Sequence, residues 1–401
     1  MRTNSNKKVH KIKKDPYKQL QRLAIILAIV LAVGGGLFYL CSMAVTRDYV
    51  NTRNRIEAEN TEGEVAFNAK MNELRTQNAA ASRGNEASGA LRDQNLSSWE
   101  KELDGKVWRV QDEGSAGLEN TSTITMSRSQ LVNGGLMLVN AWHALPSDFS
   151  EEGMVTVGTT GDFKVQVHSG SVKLFQPAFD ALVEALKAAK EEAGLEYYIV
   201  MEGYRSVAEQ QELFNEEMEK LSSRYSSERL IAETKKAVNY PGTSDYHTGM
   251  SFRMDVYQSG NKELNNQKFQ AESAQGAWLT ENCWRYGIAF RFPTKDFPNR
   301  SWEDKSYKTG VSSNLNLYRY VGKAHSAVMK VMNFCLEEYV EFLMDHPHIC
   351  VYEDDALVYE IVRIKGADSN TSFALPVPNP AISYQASLDN MDGVVMAYSY
   401  R

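Results

Sequence analysis

The chain has 401 residues, 43% of them hydrophobic and 24% charged, which is an ordinary globular balance with enough length for one large folded domain plus accessory segments. Its net charge of -7 is unevenly spread: the first 22 residues carry eight Lys and Arg against Asp15 alone, leaving -14 on the remaining 379 residues. An acidic body without clustered Lys and Arg excludes nucleic acid as the partner, because phosphate neutralisation needs such clusters.

Residues 23–45, LAIILAIVLAVGGGLFYLCSMAV, contain no charge and are long enough to cross a hydrocarbon core of about 30 Å as one helix. The spacing predicts a membrane anchor, with the basic tail 1–22 held on the cytoplasmic side by the positive-inside rule and the rest of the chain outside. A signal peptide is the alternative; its apolar stretch is typically about 7–15 residues and ends at a small-residue cleavage site. Residues 46–130 are polar and poor in aromatics. They read as a stalk, partly helical to about residue 75 and otherwise disordered.

Alternating strand-like and helix-like segments begin at about residue 131. LMLVN and MVTVG are predicted strands. FQPAFDALVEALKAAKEEAG carries Phe179, Leu182, Val183 and Leu186 at helical spacing, with Pro177 in the first turn and Gly194 as a stop. LEYYIVMEG is β-branched and aromatic, a buried strand. SVAEQQELFNEEMEKLSSRY, AWLTENCWRYG and SAVMKVMNFCLEEYVEFLMDH are three further predicted helices. Strand-rich sequence follows His346. The expected organisation is a core domain over 131–345 and a C-terminal β-rich extension over 346–401, an α+β architecture. Four cysteines are too few for a disulfide framework, although Cys335 and Cys350 are a conceivable pair.

Six segments, in order, resemble the VanY-type D-alanyl-D-alanine carboxypeptidases, zinc peptidases of the bacterial cell wall that share a fold with lysostaphin-type peptidases and the hedgehog domain. They are LVNAWHALPSDFSEEGMVTVG, MEGYRSVAEQQELF, PGTSDYHTGMSF, AWLTENCWRYGIAFRFP, YRYVGKAHSAVM and ISYQASLDNMDGVVM. The resemblance implies a central antiparallel sheet with flanking helices. It also implies a zinc held by a His and an Asp in an SxHxxGxAxD frame, and by a second His in an ExxHFRYVG block whose Glu is the general base. Anchoring the first frame on Ser244, Thr248 and Gly249 puts Tyr246 and Arg253 at its two ligand positions. Anchoring the second on Arg319, Tyr320, Val321 and Gly322 puts Leu317 at the third ligand and Asn314 at the base.

None of the four replacements supports zinc hydrolysis. Leu317 has no lone pair to donate, Asn314 no basicity near neutral pH, and Arg253 is a permanent cation where a dication would sit. The expectation is therefore a pseudopeptidase with no cofactor. An alternative keeps zinc through a shifted set, His247, Asp255 and His325. The resemblance further implies that Arg205 and Ser244, with Gln210 beside them, meet the carboxylate end of a stem peptide; Arg205 could instead form a local ion pair with Asp245 or another carboxylate. Arg253 could hold a ligand carboxylate, or fill the vacated space by bonding Tyr246, Asn314 or Asp255. Expected partners are peptidoglycan stem peptide or a cell-envelope protein, the latter with a closed pocket in a purely structural version. Separately, HPHIC would place His346, His348 and Cys350 on one face of an extended segment, a set of ligand types for a transition metal.

Overall fold

Two sheets, each with helices against one face, organise the chain. The computed structural model describes residues 97–401, apart from 115, 116, 169, 368 and 369. The expected basic tail, membrane anchor and most of the expected stalk lie outside the described residues. Among those described, no helix is long and apolar enough to cross a membrane.

The five-stranded sheet runs Ile288–Phe290, Leu317–Tyr320, Ser251–Val256, Tyr198–Glu202, Gln166–Val167 across its width. Its pairings are antiparallel except for the last, which is parallel. Alternation sorts the side chains. Phe252, Met254, Val256 and Tyr318 enter one core, under the helix Gln176–Ala193, whose Phe179, Leu182, Val183 and Leu186 are all buried there. That helix starts with Pro177 in its first turn and stops where Gly194 takes a left-handed conformation at φ 66°, as the sequence predicts. Ser251, Arg253, Leu317 and Arg319 take the opposite parity along the same two strands, with Ser251 opposite Arg319 and Arg253 opposite Leu317. This second face carries the candidate site.

The six-stranded sheet is antiparallel throughout, in the order Ser98–Leu103, Lys106–Asp112, His348–Glu353, Ala356–Lys365, Gly393–Ser399, Ser383–Leu388. The helices Lys323–Met332 and Leu336–Asp345 bury Val328, Leu336, Val340 and Leu343 against its Val110, Ile349, Val351 and Ile361. A separate two-stranded ribbon, Thr121–Ser127 with Ser372–Pro378, packs Phe373 and Leu375 into a third core with Val394 and Met396.

Several expectations change here. The expected stalk overlaps three strands, at 98–103, 106–112 and 121–127, and the first two share a sheet with the expected C-terminal extension. The described residues fall in one compact unit, so neither residue 131 nor residue 346 divides them. LMLVN is not a strand; Leu138 N–H donates to the Asp389 carbonyl, and Leu136, Met137 and Val139 fill cores as irregular backbone. The predicted fourth helix is two, broken where Asn333 adopts a left-handed φ of 56°. A polar helix at Ser227–Ala237 was not predicted. Cys335 and Cys350 are both free and buried: one caps the helix Leu336–Asp345, the other lies mid-strand in the six-stranded sheet.

Candidate functional site

A short 3₁₀ turn, Asp245–Thr248, ends on Gly249 at φ 64° and feeds directly into the strand Ser251–Val256. This turn is anchored from below. Asp245, 1% exposed, accepts from Arg291 Nε at 2.9 Å and from Arg319 Nη1 at 3.0 Å, and Ser251 Oγ donates to its other oxygen. Arg291 also forks onto Glu337 at 2.9 and 2.8 Å, while Arg319 Nη2 donates to the carbonyls of Gly135 and Met137. Burial alone pushes the Asp245 carboxyl up, but Arg291 and Arg319 more than offset it and hold it below the ordinary carboxylate value. Two carboxylates and two guanidiniums thus form a layer beneath the site.

The residues at the family's metal positions are gathered in space. Tyr246 and Leu317 lie together in an apolar cluster with Phe292 and Val311, all buried, and Arg253 is the direct cross-strand partner of Leu317. Zinc does not fit this set. Its site would be lined by a phenol, an isobutyl group and a cation, and burial raises the Tyr246 hydroxyl far above its usual value, with Glu202 adding to the rise. Asn314, at the base position, accepts from Thr294 Oγ1 at 2.6 Å.

The shifted ligand set does not assemble. Among the described residues, His247, Asp255 and His325 are not within ligand distance of one another as a group. His247 Nδ1 is 2.6 Å from the Arg205 carbonyl and its Nε2 accepts from the Gly242 amide at 3.1 Å, so both ring nitrogens serve the backbone. That arrangement fixes the Nδ1–H tautomer, and burial lowers the ring pKa to about 4. His325 belongs to the helix Lys323–Met332, with Nδ1 2.7 Å from Tyr339 Oη, and burial lowers it to about 3. Asp255 Oδ1 accepts from the Val256 amide.

Above the turn lies a cleft of about 260 Å³. Arg205, Ser244, Tyr246 and Arg253 all line it. Arg205 does pair locally, with Glu202 rather than Asp245: its Nε donates to Glu202 Oε1 at 2.7 Å, its Nη2 bonds the same oxygen, and its Nη1 donates to Gln210 Oε1 at 2.6 Å. The guanidinium is stacked 4.5 Å over the Tyr246 ring. Gln210, also in the cleft lining, is 1% exposed, donates its amide to the Asn239 carbonyl and holds Arg205 through its Oε1. Arg253 bonds none of Tyr246, Asn314 or Asp255; its Nε is buried without a hydrogen-bond partner. The cleft wall also holds Lys235, Lys236, which pairs with Glu233 at 2.9 Å, and Glu202, while Asp245 turns its oxygens to the groups below. The result is a polar cleft over apolar carbon, in which Arg253 Nε lacks a partner.

Sequence reasoning missed Glu202, Arg291 and Glu337. FRFP offered a signal, a lone charge between aromatics at a strand end, which in a core implies a buried partner. His346 does not join His348 and Cys350; its Nδ1 lies 2.8 Å from Asp112 Oδ2.

This fold is that of the D-Ala-D-Ala peptidases. The structure of the vancomycin-resistance D,D-dipeptidase VanXYg, in complex with a D-Ala-D-Ala phosphinate analogue, superposes with a TM-score of 0.51 at 21% identity, over 70% of this chain and 99% of that one. The family model for VanY, D-alanyl-D-alanine carboxypeptidase, matches residues 172–323. A D-alanyl-D-alanine carboxypeptidase of Enterococcus faecium is 28% identical over 71% of this chain and 81% of its own length. The bifunctional D-Ala-D-Ala dipeptidase and carboxypeptidase VanXYC of Enterococcus gallinarum is 30% identical over 37% of this chain and 70% of its own. The chain belongs to the VanY-type D-alanyl-D-alanine carboxypeptidase family.

Proposed function

We propose that this protein is a non-hydrolytic member of that family, anchored in the bacterial membrane by residues 23–45 with residues 46–401 extracytoplasmic, and that its cleft binds the D-alanyl end of peptidoglycan stem peptides. One observation carries the reading: Arg253 stands opposite Leu317 on the sheet, with a buried and unpartnered Nε, above an apolar cluster that includes Tyr246. A cation there attracts a terminal carboxylate but activates no water, and the apolar floor suits a D-alanyl methyl group. Arg205, held in the same cleft by Glu202 and Gln210, supports the same ligand class.

The test uses the full chain in detergent with a pentapeptide ending in D-Ala-D-Ala, measured by calorimetry and by release of D-alanine. Saturable binding without release is expected. Arg253→Ala should weaken it by roughly 10–100-fold, the worth of a charge-assisted hydrogen bond of about 1.5–3 kcal/mol. Release of D-alanine by the wild type would sink the non-hydrolytic reading, and unchanged affinity in Arg253→Ala would remove Arg253 from the binding site.

A further inference from the structure

The face of the six-stranded sheet turned away from its helices carries chemistry that the cleft does not use. His348 and Cys350 are two apart on one strand, so both side chains emerge on that face, while Ile349 and Val351 enter the core on the other. Glu360 is the cross-strand partner of Cys350. One donor atom each from His348, Cys350 and Glu360 lies within 4.8 Å of the other two. Glu113 flanks the group: its backbone amide donates to the His348 carbonyl at 2.9 Å, and its carboxylate accepts from Gln111 Nε2 at 2.9 Å.

We propose that His348, Cys350 and Glu360 form a thiolate-containing zinc site on this sheet face, separate from the cleft. The donor types are those zinc selects, one sulfur, one imidazole nitrogen and one carboxylate, three protein ligands that leave a fourth tetrahedral position for water. Charge points the same way. A carboxylate and a thiol meet one imidazole, His348 Nε2 at 2.8 Å from Glu360 Oε1, with Tyr400 Oη donating to Glu360 Oε2, and His348 and Cys350 are only 7% and 6% exposed. Arg109 is already engaged by the Tyr352 ring, by Gln111 and by Asp355. Zinc would take the sulfur as thiolate and the Nε2 lone pair of His348, sending the thiol proton and any proton shared with Glu360 to solvent. Zinc–ligand bonds of about 2.0–2.3 Å require the donors to close by roughly 1 Å, which side-chain rotation on a fixed sheet can supply.

Cobalt(II) reports such a site optically. Titrated into the chelator-treated full chain, it should produce a near-ultraviolet thiolate-to-cobalt charge-transfer band saturating at one ion per chain and erased by zinc. Cys350→Ser should abolish the band. Glu360→Gln, which keeps the side-chain shape, should weaken cobalt binding by at least about tenfold, since even groups merely hydrogen-bonded to a ligand contribute 10–100-fold. No band in the wild type, a band that survives Cys350→Ser, or unchanged affinity in Glu360→Gln would each overturn the proposal. Circular dichroism on both variants identifies a loss caused by misfolding, and Glu360→Gln then decides.

Discussion

Replacing Arg291 with methionine removes the cation that joins Asp245 to Glu337. Arg291 is 1% exposed and donates one hydrogen bond to Asp245 and two to Glu337, all between 2.8 and 2.9 Å. In the variant Asp245 keeps Arg319, but Glu337, 4% exposed, keeps only the Asn140 amide as a hydrogen-bond donor among the described residues. Stranding one partner of a buried pair in this way costs about 3–5 kcal/mol. For a folded unit somewhat larger than 250 residues that corresponds to a loss of roughly 6–10 °C in Tm. The assay is urea unfolding of the full chain followed by tryptophan fluorescence and far-ultraviolet circular dichroism, with coincident curves licensing a two-state treatment. Arg291→Met with Glu337→Met removes the stranded charge and should recover at least half of the loss. A single variant costing under about 1 kcal/mol, or a double variant no better than the single, would refute the view that this network holds the cleft turn in place.

Three further outcomes are expected. His247 and His325 are held neutral, at about 4 and about 3 against an ordinary 6.5, so the unfolded chain binds more protons than the native one below pH 6.5 and stability should fall between pH 6.5 and 4. His247 alone accounts for roughly 3 kcal/mol of that loss, and His247→Gln should flatten the pH dependence of unfolding; an unchanged slope would contradict its assignment as a buried neutral group. Leu317→Ala opens a cavity in a fully buried cluster and should cost about 2–5 kcal/mol by chemical denaturation, whereas a cost below 1 would mean the cluster is loosely packed. The fourfold change Tyr246→His, Arg253→Asp, Asn314→Glu and Leu317→His, made in a Cys350→Ser background, should confer zinc binding and D-alanine release on a chain that shows neither in that background. Zinc uptake by the unaltered residues at those four positions would count against the assignment.

The helices at 176–193 and 207–221 were legible because local signals agree: proline or a Ser206/Glu209 capping box at the start, apolar residues at helical spacing, glycine at the end of the first. The strands at 98–112 were not, since SWEKEL and KVWRVQD alternate with long polar side chains and bury one face only after the distant strand His348–Glu353 pairs with them. A hairpin signal was present: Asp104 and Gly105 both take positive φ, at 52° and 74°, between two alternating runs. The break at Asn333 was hidden because Met332, Phe334 and Leu336 are apolar on both sides of it. In the cleft, residue identities sufficed to argue against zinc at the four family positions, but not to find what replaced it. That Tyr246 and Leu317 would meet Phe292 and Val311, and that Glu202 would claim Arg205, depends on strand register and long-range packing.

The cluster of Tyr246, Phe292, Val311 and Leu317 has a consequence for when the cleft is ready to act. Where a metal organises a pocket, the apo and loaded proteins differ in order, and readiness follows the supply of the ion and vanishes under chelation. Here hydrocarbon contacts, with the ion pairs beneath them, set the shape of the pocket floor from the moment the chain folds. A cleft built this way presents the same surface in metal-starved and metal-replete surroundings, so under the proposed function its occupancy would track the abundance of its ligand alone.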